Sequence, residues 1–265
     1  MSKTILITGA TDGIGLLTAK TLAKEGHKVL LHGRSAEKLE AASTEVVGAP
    51  DTYRADLTRL EEVEALAKEI MARHDRLDVL INNAGVLKTP QPRTPEGLDT
   101  RFVVNTIAPY LLTQRLLPII QATGRVVNLS SAAQAPVDVE ALRGKRSLDH
   151  MGAYAQSKLA ITIWTQEMAR AHPDGPAFIA VNPGSLLASK MVKEGFGVAG
   201  KDLGVGVDIL RRAALSDEFA QASGRYFDND SGSFAQPNPA ARDKTHVASV
   251  MTAIRDLAGK DRQAC

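Results

Sequence analysis

A single doubly wound α/β domain, built on a parallel sheet of about seven strands, is the fold this sequence predicts. Three observations predict it. Short apolar runs alternate with longer helical patterns along most of the 265 residues. The first run, KTILIT, leads straight into a glycine-rich turn and then a helix. Apolar residues make up 44% and charged residues 23%, a globular composition with enough apolar material for a full core. Strands that alternate with helices require parallel pairing with both sheet faces covered. Right-handed crossovers then give a Rossmann-type arrangement.

Each element has its own signal. Residues 3–8 read as a buried strand and about 14–24 as a helix; VLLH, 29–32, is the second strand. The next helix starts from Ser35 as N-cap, with Glu37 and Glu40 in its early turns. DTYRAD, 51–56, is a weaker third strand, and Leu60, Val63, Leu66, Ala67 and Ile70 keep helical spacing over 59–73. LDVLINNAG, 77–85, is a fourth strand ending in a polar turn. A helical pattern covers about 96–121, which Pro109 and Pro118 should bend or interrupt. GRVVNLSS, 124–131, is the fifth strand, followed by a helix over 151–171. PAFIAVNPG, 176–184, is the sixth strand and GRYFD, 224–228, the seventh. Residues 132–151, 184–206 and the tail from about 229 read as irregular. Ligands of an open α/β sheet bind beyond the carboxyl ends of its strands, so the first two of these loops are expected at that edge.

Bulk properties narrow the function. A net charge of +2 argues for neither a nucleic-acid nor a membrane-surface partner. No run is long or apolar enough to span a bilayer, and the N-terminus lacks the apolar region of a signal peptide. The one cysteine, Cys265, cannot form an internal disulfide, which fits a reducing compartment; a cytoplasmic location is expected. His27, His32, His74, His150, His172 and His246 show no metal-ligand spacing, so no metal is expected.

Two motifs carry chemistry. TGATDGIG, Thr8 to Gly15, spaces its glycines as Gly9-xxx-Gly13-x-Gly15 between a strand and a helix. Such a turn lets the backbone approach a pyrophosphate, which rests on the helix N-terminus. YAQSK sets Tyr154 one helical turn before Lys158. A free phenol titrates near pH ~10; a cation on the same helix face would favour the phenolate and lower that value.

TGATDGIG, NNAG at 82–85, Asn105, the Ser130–Ser131 pair, YAQSK and NPG at 182–184 stand in the order seen in the short-chain dehydrogenase/reductase family. The sequence resembles its single-domain branch over about residues 3–230. The longer segment before Tyr154 and the tail from 229 make it similar to carbonyl reductases and retinol dehydrogenases within that family. The resemblance implies an oxidoreductase that moves a hydride between a nicotinamide cofactor and a carbonyl or alcohol. Tyr154 is then the acid, Lys158 also bonds the nicotinamide ribose, and a serine hydroxyl holds the substrate oxygen. Alignment with the family favours Ser131 over Ser130, and strand alternation keeps both from reaching one site. Asn105 resembles the asparagine that links the lysine to a proton relay through water; the other reading is an asparagine that satisfies backbone in the proline-bent helix.

The resemblance assigns Gly9, Thr11, Asp12, Gly13, Ile14 and Gly15 to the cofactor. Later in the chain it adds Arg34, Asp56, Leu57, Asn82, Ala84 and Pro183, besides Tyr154 and Lys158. Asn82 and Asn83 also suit a bare turn, and Asp56 a helix N-cap. NADP(H) is expected over NAD(H). An NAD site places an acid at the end of the second strand, whereas VLLHGRS offers His32, Gly33 and Arg34 there. Gly33 leaves room where that carboxylate would sit, and Arg34 offers a planar fork to a 2′-phosphate. Asp12 pulls the other way, standing where many NADP-using relatives carry a base.

The substrate is expected to be a small carbonyl or alcohol compound. Leu186, Leu187, Met191, Val192, Phe196 and Val198, with Ser185 and Ser189, fit a lipophilic one. The resemblance allows a homo-oligomer as well as a monomer. The competing class is a catalytically silent cofactor-binding regulator, against which the intact Ser131, Tyr154 and Lys158 set argues. A nucleotide-sugar epimerase would need a larger C-terminal domain.

Overall fold

The computed structural model describes residues 1–188 and 200–259. Its eight strands form one sheet in the order β3-β2-β1-β4-β5-β6-β7-β8. They are β1 Thr4–Ile7, β2 Lys28–Gly33, β3 Asp51–Arg54, β4 Leu77–Asn82, β5 Ile120–Leu129, β6 Ala177–Asn182, β7 Tyr226–Asp228 and β8 Ser233–Ala235. All neighbours pair in parallel except β7 and β8. The chain steps outward from β1 to β3, returns to β4 beside β1, and steps outward the other way. Strand order therefore reverses between β1 and β4, which opens a crevice at their carboxyl ends.

Period-two alternation splits the core into two layers. Leu6, Leu30, Leu80, Val126 and Phe178 face one side; Ile5, Ile7, Leu31, Val79, Ile81, Val127 and Ile179 face the other. The second side packs on α1 Gly13–Lys24, α2 Ala36–Glu45 and α8 Leu203–Leu215. The first packs on α3 Leu60–Arg73, α5 Ala108–Leu116, α7 His150–Ala171 and α9 Lys244–Gly259. Ser35 caps α2 by accepting from the Lys38 N–H at 3.3 Å.

Three sequence expectations need correction. The tail from 229 is not irregular: it forms β8, a 3₁₀ turn at Pro239–Arg242 and α9, which packs on the first core layer. Phe234 of β8 closes an aromatic cluster with Phe219 and Phe227, with ring centroids 5.1–5.2 Å apart. The helical pattern over 96–121 splits into α4 Thr100–Phe102, a π-turn at Val103–Ile107 and α5. Pro109 is the physical cause: it has no N–H to give the Asn105 carbonyl, and the ladder re-registers so that the Ala108 N–H meets the Val103 carbonyl. The segment 132–151 contains a short helix, α6 Val139–Leu142, capped by Asp138.

Candidate active site

The turn from β1 into α1 is built for close approach. Gly9 and Gly13 hold φ of +65° and +53°, and a Cβ on Gly9 would lie 3.0 Å from the Ala84 Cα. Asn83 braces the turn, donating to the Thr8 carbonyl at 2.9 Å and the Gly9 carbonyl at 3.0 Å. Buried His32 braces it from β2: its Nδ1 accepts from the Gly9 N–H at 3.2 Å and its Nε2 reaches the Ala55 carbonyl at 3.1 Å. Burial holds that imidazole down at about 4, so the ring is neutral and Nδ1 stays an acceptor.

Along this crevice runs a cavity of about 730 Å³. Gly9, Thr11, Asp12, Gly13, Ile14 and Gly15 line its floor at the α1 N-terminus. Arg34, Asp56 and Leu57 line one end, and Ala84 and Pro183 the middle. Bare glycine backbone at a helix N-terminus, in a cleft of this size, fits the diphosphate of a dinucleotide.

Asn82 is the exception among the cofactor assignments. It shares its sheet face with Leu80 and points into the interior, donating to Asn128 at 2.8 Å and Thr113 at 3.1 Å. Asn83 takes its place at the cavity wall. Continuing the β4 alternation by one residue would have found this. Gly33 also does not leave vacant room: a Cβ there would lie 2.4 Å from the Thr11 Cγ2, so close packing is what excludes an acidic side chain. Arg34 is exposed and makes no ion pair among the described residues, while Asp12 accepts from the Gly13 N–H at 2.7 Å and lies 3.9 Å from the Lys38 Nζ. Asp56 lines the cavity and forms a turn with Thr58 N–H and Oγ1, at 3.0 and 2.8 Å; it is not the cap of α3.

Ser131, Tyr154 and Lys158 meet at the same cavity. Ser130, one residue before, turns inward to α7 and bonds the Lys158 carbonyl at 3.0 Å and Thr162 Oγ1 at 2.7 Å. Tyr226 of β7 and Gln134 both donate to the Ser131 carbonyl, at 3.1 and 3.0 Å; neither was legible as a site residue because both act through backbone. The Lys158 Nζ donates to the Leu129 carbonyl at 2.7 Å and lies 5.5 Å from the Tyr154 ring centroid. Burial pushes the ammonium down to about 8. The phenol is raised above its ordinary 10 by burial, with the Ser131 hydroxyl pulling it back. That reverses the expected direction: burial outweighs the Ser131 hydrogen bond, which leaves the phenol as a proton donor.

Asn105 sits in the π-turn, fully buried and away from the cavity wall. Its Oδ1 accepts from the Val86 N–H at 2.8 Å, and its Nδ2 donates to the Val86 carbonyl at 3.0 Å and Ser157 Oγ at 3.0 Å. Its side chain thus satisfies backbone of the loop after β4 and ties the π-turn to α7 beside Lys158. Trp164 is fully buried core, edge-on to Tyr110 at 5.7 Å.

Ser185, Leu186 and Leu187 reach the cavity; Ser189, Met191, Val192, Phe196 and Val198 lie outside the described residues, as does Cys265. Asp230 holds this wall, accepting from the Ser185 N–H at 2.9 Å and the Asn182 Nδ2 at 2.9 Å. Among the described residues no group of three or more His, Cys, Asp or Glu is placed to hold a metal, and no helix is long and apolar enough to cross a membrane.

The model of the short chain dehydrogenase family matches residues 3–196. The chain belongs to the short-chain dehydrogenase family. As a short-chain dehydrogenase it is an oxidoreductase of the class that binds nicotinamide cofactors. Retinol dehydrogenase 13 of Mus musculus is 31% identical over 282 residues, covering 97% of this chain and 84% of that protein. A short chain dehydrogenase from Escherichia coli CFT073, solved complexed with NADPH, is 29% identical with a TM-score of 0.71, over 86% of this chain and 96% of that one. LugOII, a promiscuous reductase that catalyses keto-reduction at C1 during lugdunomycin biosynthesis, is 27% identical with a TM-score of 0.65, over 86% and 96% of the two chains.

Proposed function

We propose that this short-chain dehydrogenase reduces a ketone or aldehyde with NADP(H), using Tyr154 as the proton donor. The observation that carries the reading is the meeting of Ser131, Tyr154 and Lys158 in the cavity whose floor is the glycine turn. A bound nicotinamide supplies the hydride to the carbonyl carbon. The Ser131 hydroxyl donates to the carbonyl oxygen and stabilises the negative charge that grows on it. Tyr154 gives that oxygen its proton, and the raised phenol is a donor available at neutral pH. Lys158, fixed by the Leu129 carbonyl, keeps a positive charge against the ring as the phenolate forms. Asn105 acts as a positioning residue, locking the π-turn to α7. Tyr154→Phe is expected to lower turnover by roughly 10²–10⁴-fold with nucleotide binding nearly intact. Near-normal turnover in the folded variant would sink the assignment.

The choice of NADP(H) rests on Arg34. It stands at the carboxyl end of β2 on the cavity wall, its charge unmatched among the described residues, and the packing of Thr11 against Gly33 leaves no place for an acid. Lys38 beside Asp12 offsets the one carboxylate of the glycine turn. Comparing kcat/KM for NADPH and NADH tests this. The native protein should favour NADPH, and Arg34→Ala should lose most of that preference while using NADH about as before. A native preference for NADH, or a ratio that Arg34→Ala leaves unmoved, would refute it.

A further inference from the structure

We propose that the substrate is amphiphilic: a carbonyl compound with an apolar body and an anionic group at its far end, which Arg93 receives. The inference rests on the carbonyl-reductase reading above and names the substrate class of that site. The same cavity that Tyr154 lines is also lined by Val86, Leu87, Val104, Met151 and Leu186, and by Arg93. Thr89, Gln91, Thr94 and Thr100 add polar lining, and Arg93 is the cation of this group among the described residues.

Arg93 is held in place. Its Nη1 donates to the Gly97 carbonyl at 2.5 Å and the Gly144 carbonyl at 2.9 Å, and its Nη2 to Ser147 Oγ at 2.8 Å. All three acceptors are neutral, so the guanidinium is fixed without being neutralised, and no carboxylate pairs with it among the described residues. Three of its five N–H donors are used. The Nε–H and one Nη2–H are left to donate to a carboxylate or phosphate. The carboxylates that line the cavity, Asp12 and Asp56, stand at the ends of β1 and β3, on the glycine-turn side. Among the described residues, no carboxylate on the Arg93 side of the cavity balances this charge.

A substrate whose carbonyl meets Tyr154 and whose acid meets Arg93 must span the gap between them, so the site should favour one chain length.

The test is a series of aldehyde carboxylates of increasing chain length, each beside its neutral methyl ester, assayed for kcat/KM. The acid should be favoured over its ester by roughly 10–100-fold at the matching length, mainly through KM, as a charge-assisted pair of hydrogen bonds predicts. Arg93→Gln should bring that ratio toward one, and Arg93→Lys should restore part of it. The ratio compares two substrates on one sample, so a fraction of misfolded variant cancels. Equal use of acids and esters by the native protein, or a ratio unmoved in Arg93→Gln, would overturn the proposal and leave Arg93 as a clamp between residues 93–97 and 144–147. No turnover of any carbonyl compound would instead overturn the parent reading, and this inference with it.

Discussion

Lys158 gives up its proton more readily than a free lysine because its ammonium is buried with a single carbonyl as hydrogen-bond partner, that of Leu129. Its value of about 8 makes a pH prediction with two opposite signs. Turnover that needs the ammonium should fall as pH rises through about 8. Stability should move the other way: the unfolded chain holds this proton up to about 10.4 and the folded one does not, so the desolvation penalty present below 8 is relieved across that window. A turnover profile from pH 6 to 10, measured beside thermal melting, separates the two. A flat turnover profile up to pH 10 would remove Lys158's charge from the mechanism. The neighbouring serines show how narrow such assignments are. Ser130 and Ser131 are adjacent and chemically identical, yet one is spent on α7 and the other faces the phenol.

At the scale of elements, β2 governs the glycine turn through one side chain. His32 joins the end of β1 to the end of β3, bonding Gly9 and Ala55 from its two ring nitrogens. Only the neutral ring can accept from Gly9, and burial keeps it neutral down to about 4. The unfolded chain takes up this proton near 6.5, so stability should fall as pH drops from 6.5 to about 4, by about 3 kcal/mol at full extent, and level off below. His32→Asn keeps an acceptor near the Nδ1 position and does not titrate. Denaturant unfolding at pH 7 and pH 4.5 should show a smaller acid loss for the variant than for the native protein; equal losses would dismiss His32 as their source. The π-turn is the companion case on the other side of the crevice. Pro109 forces it, and Asn105 and Thr106 then bond Ser157 on α7 at 3.0 and 2.9 Å, one residue before Lys158. A helix defect thereby ties the π-turn to α7.

Over the whole molecule, the reversal of strand order between β1 and β4 is what makes one cavity from distant stretches of chain. The glycine turn, the end of β5, α7 and the turn after β6 meet there only because parallel strands deliver all their carboxyl ends to one edge. Most of this was legible in advance. Strands up to β7 follow from apolar runs, and α1, α2, α3 and α7 from periodicity and caps, since those signals are local. The C-terminal tail was not: β8 is three residues long, and α9 owes its place to burying Val250, Ile254 and Leu257 against the first core layer. A contact of that kind leaves no local mark beyond an amphipathic stretch.

The sequence by itself determined the doubly wound class, the family, and the residues able to carry the chemistry, because residue type and spacing along strand, turn and helix are covalent facts. Only the tertiary structure decided which of them face the cavity. Asn82 turned inward and Asn83 outward by the β4 pleat; Asn105 was taken up by the Val86 backbone; Thr11 closed the space beside Gly33. It also decided the direction in which Tyr154 shifts, since a pKa depends on how much water and how many partners surround the group, and burial around Tyr154 outweighs the hydrogen bond from Ser131.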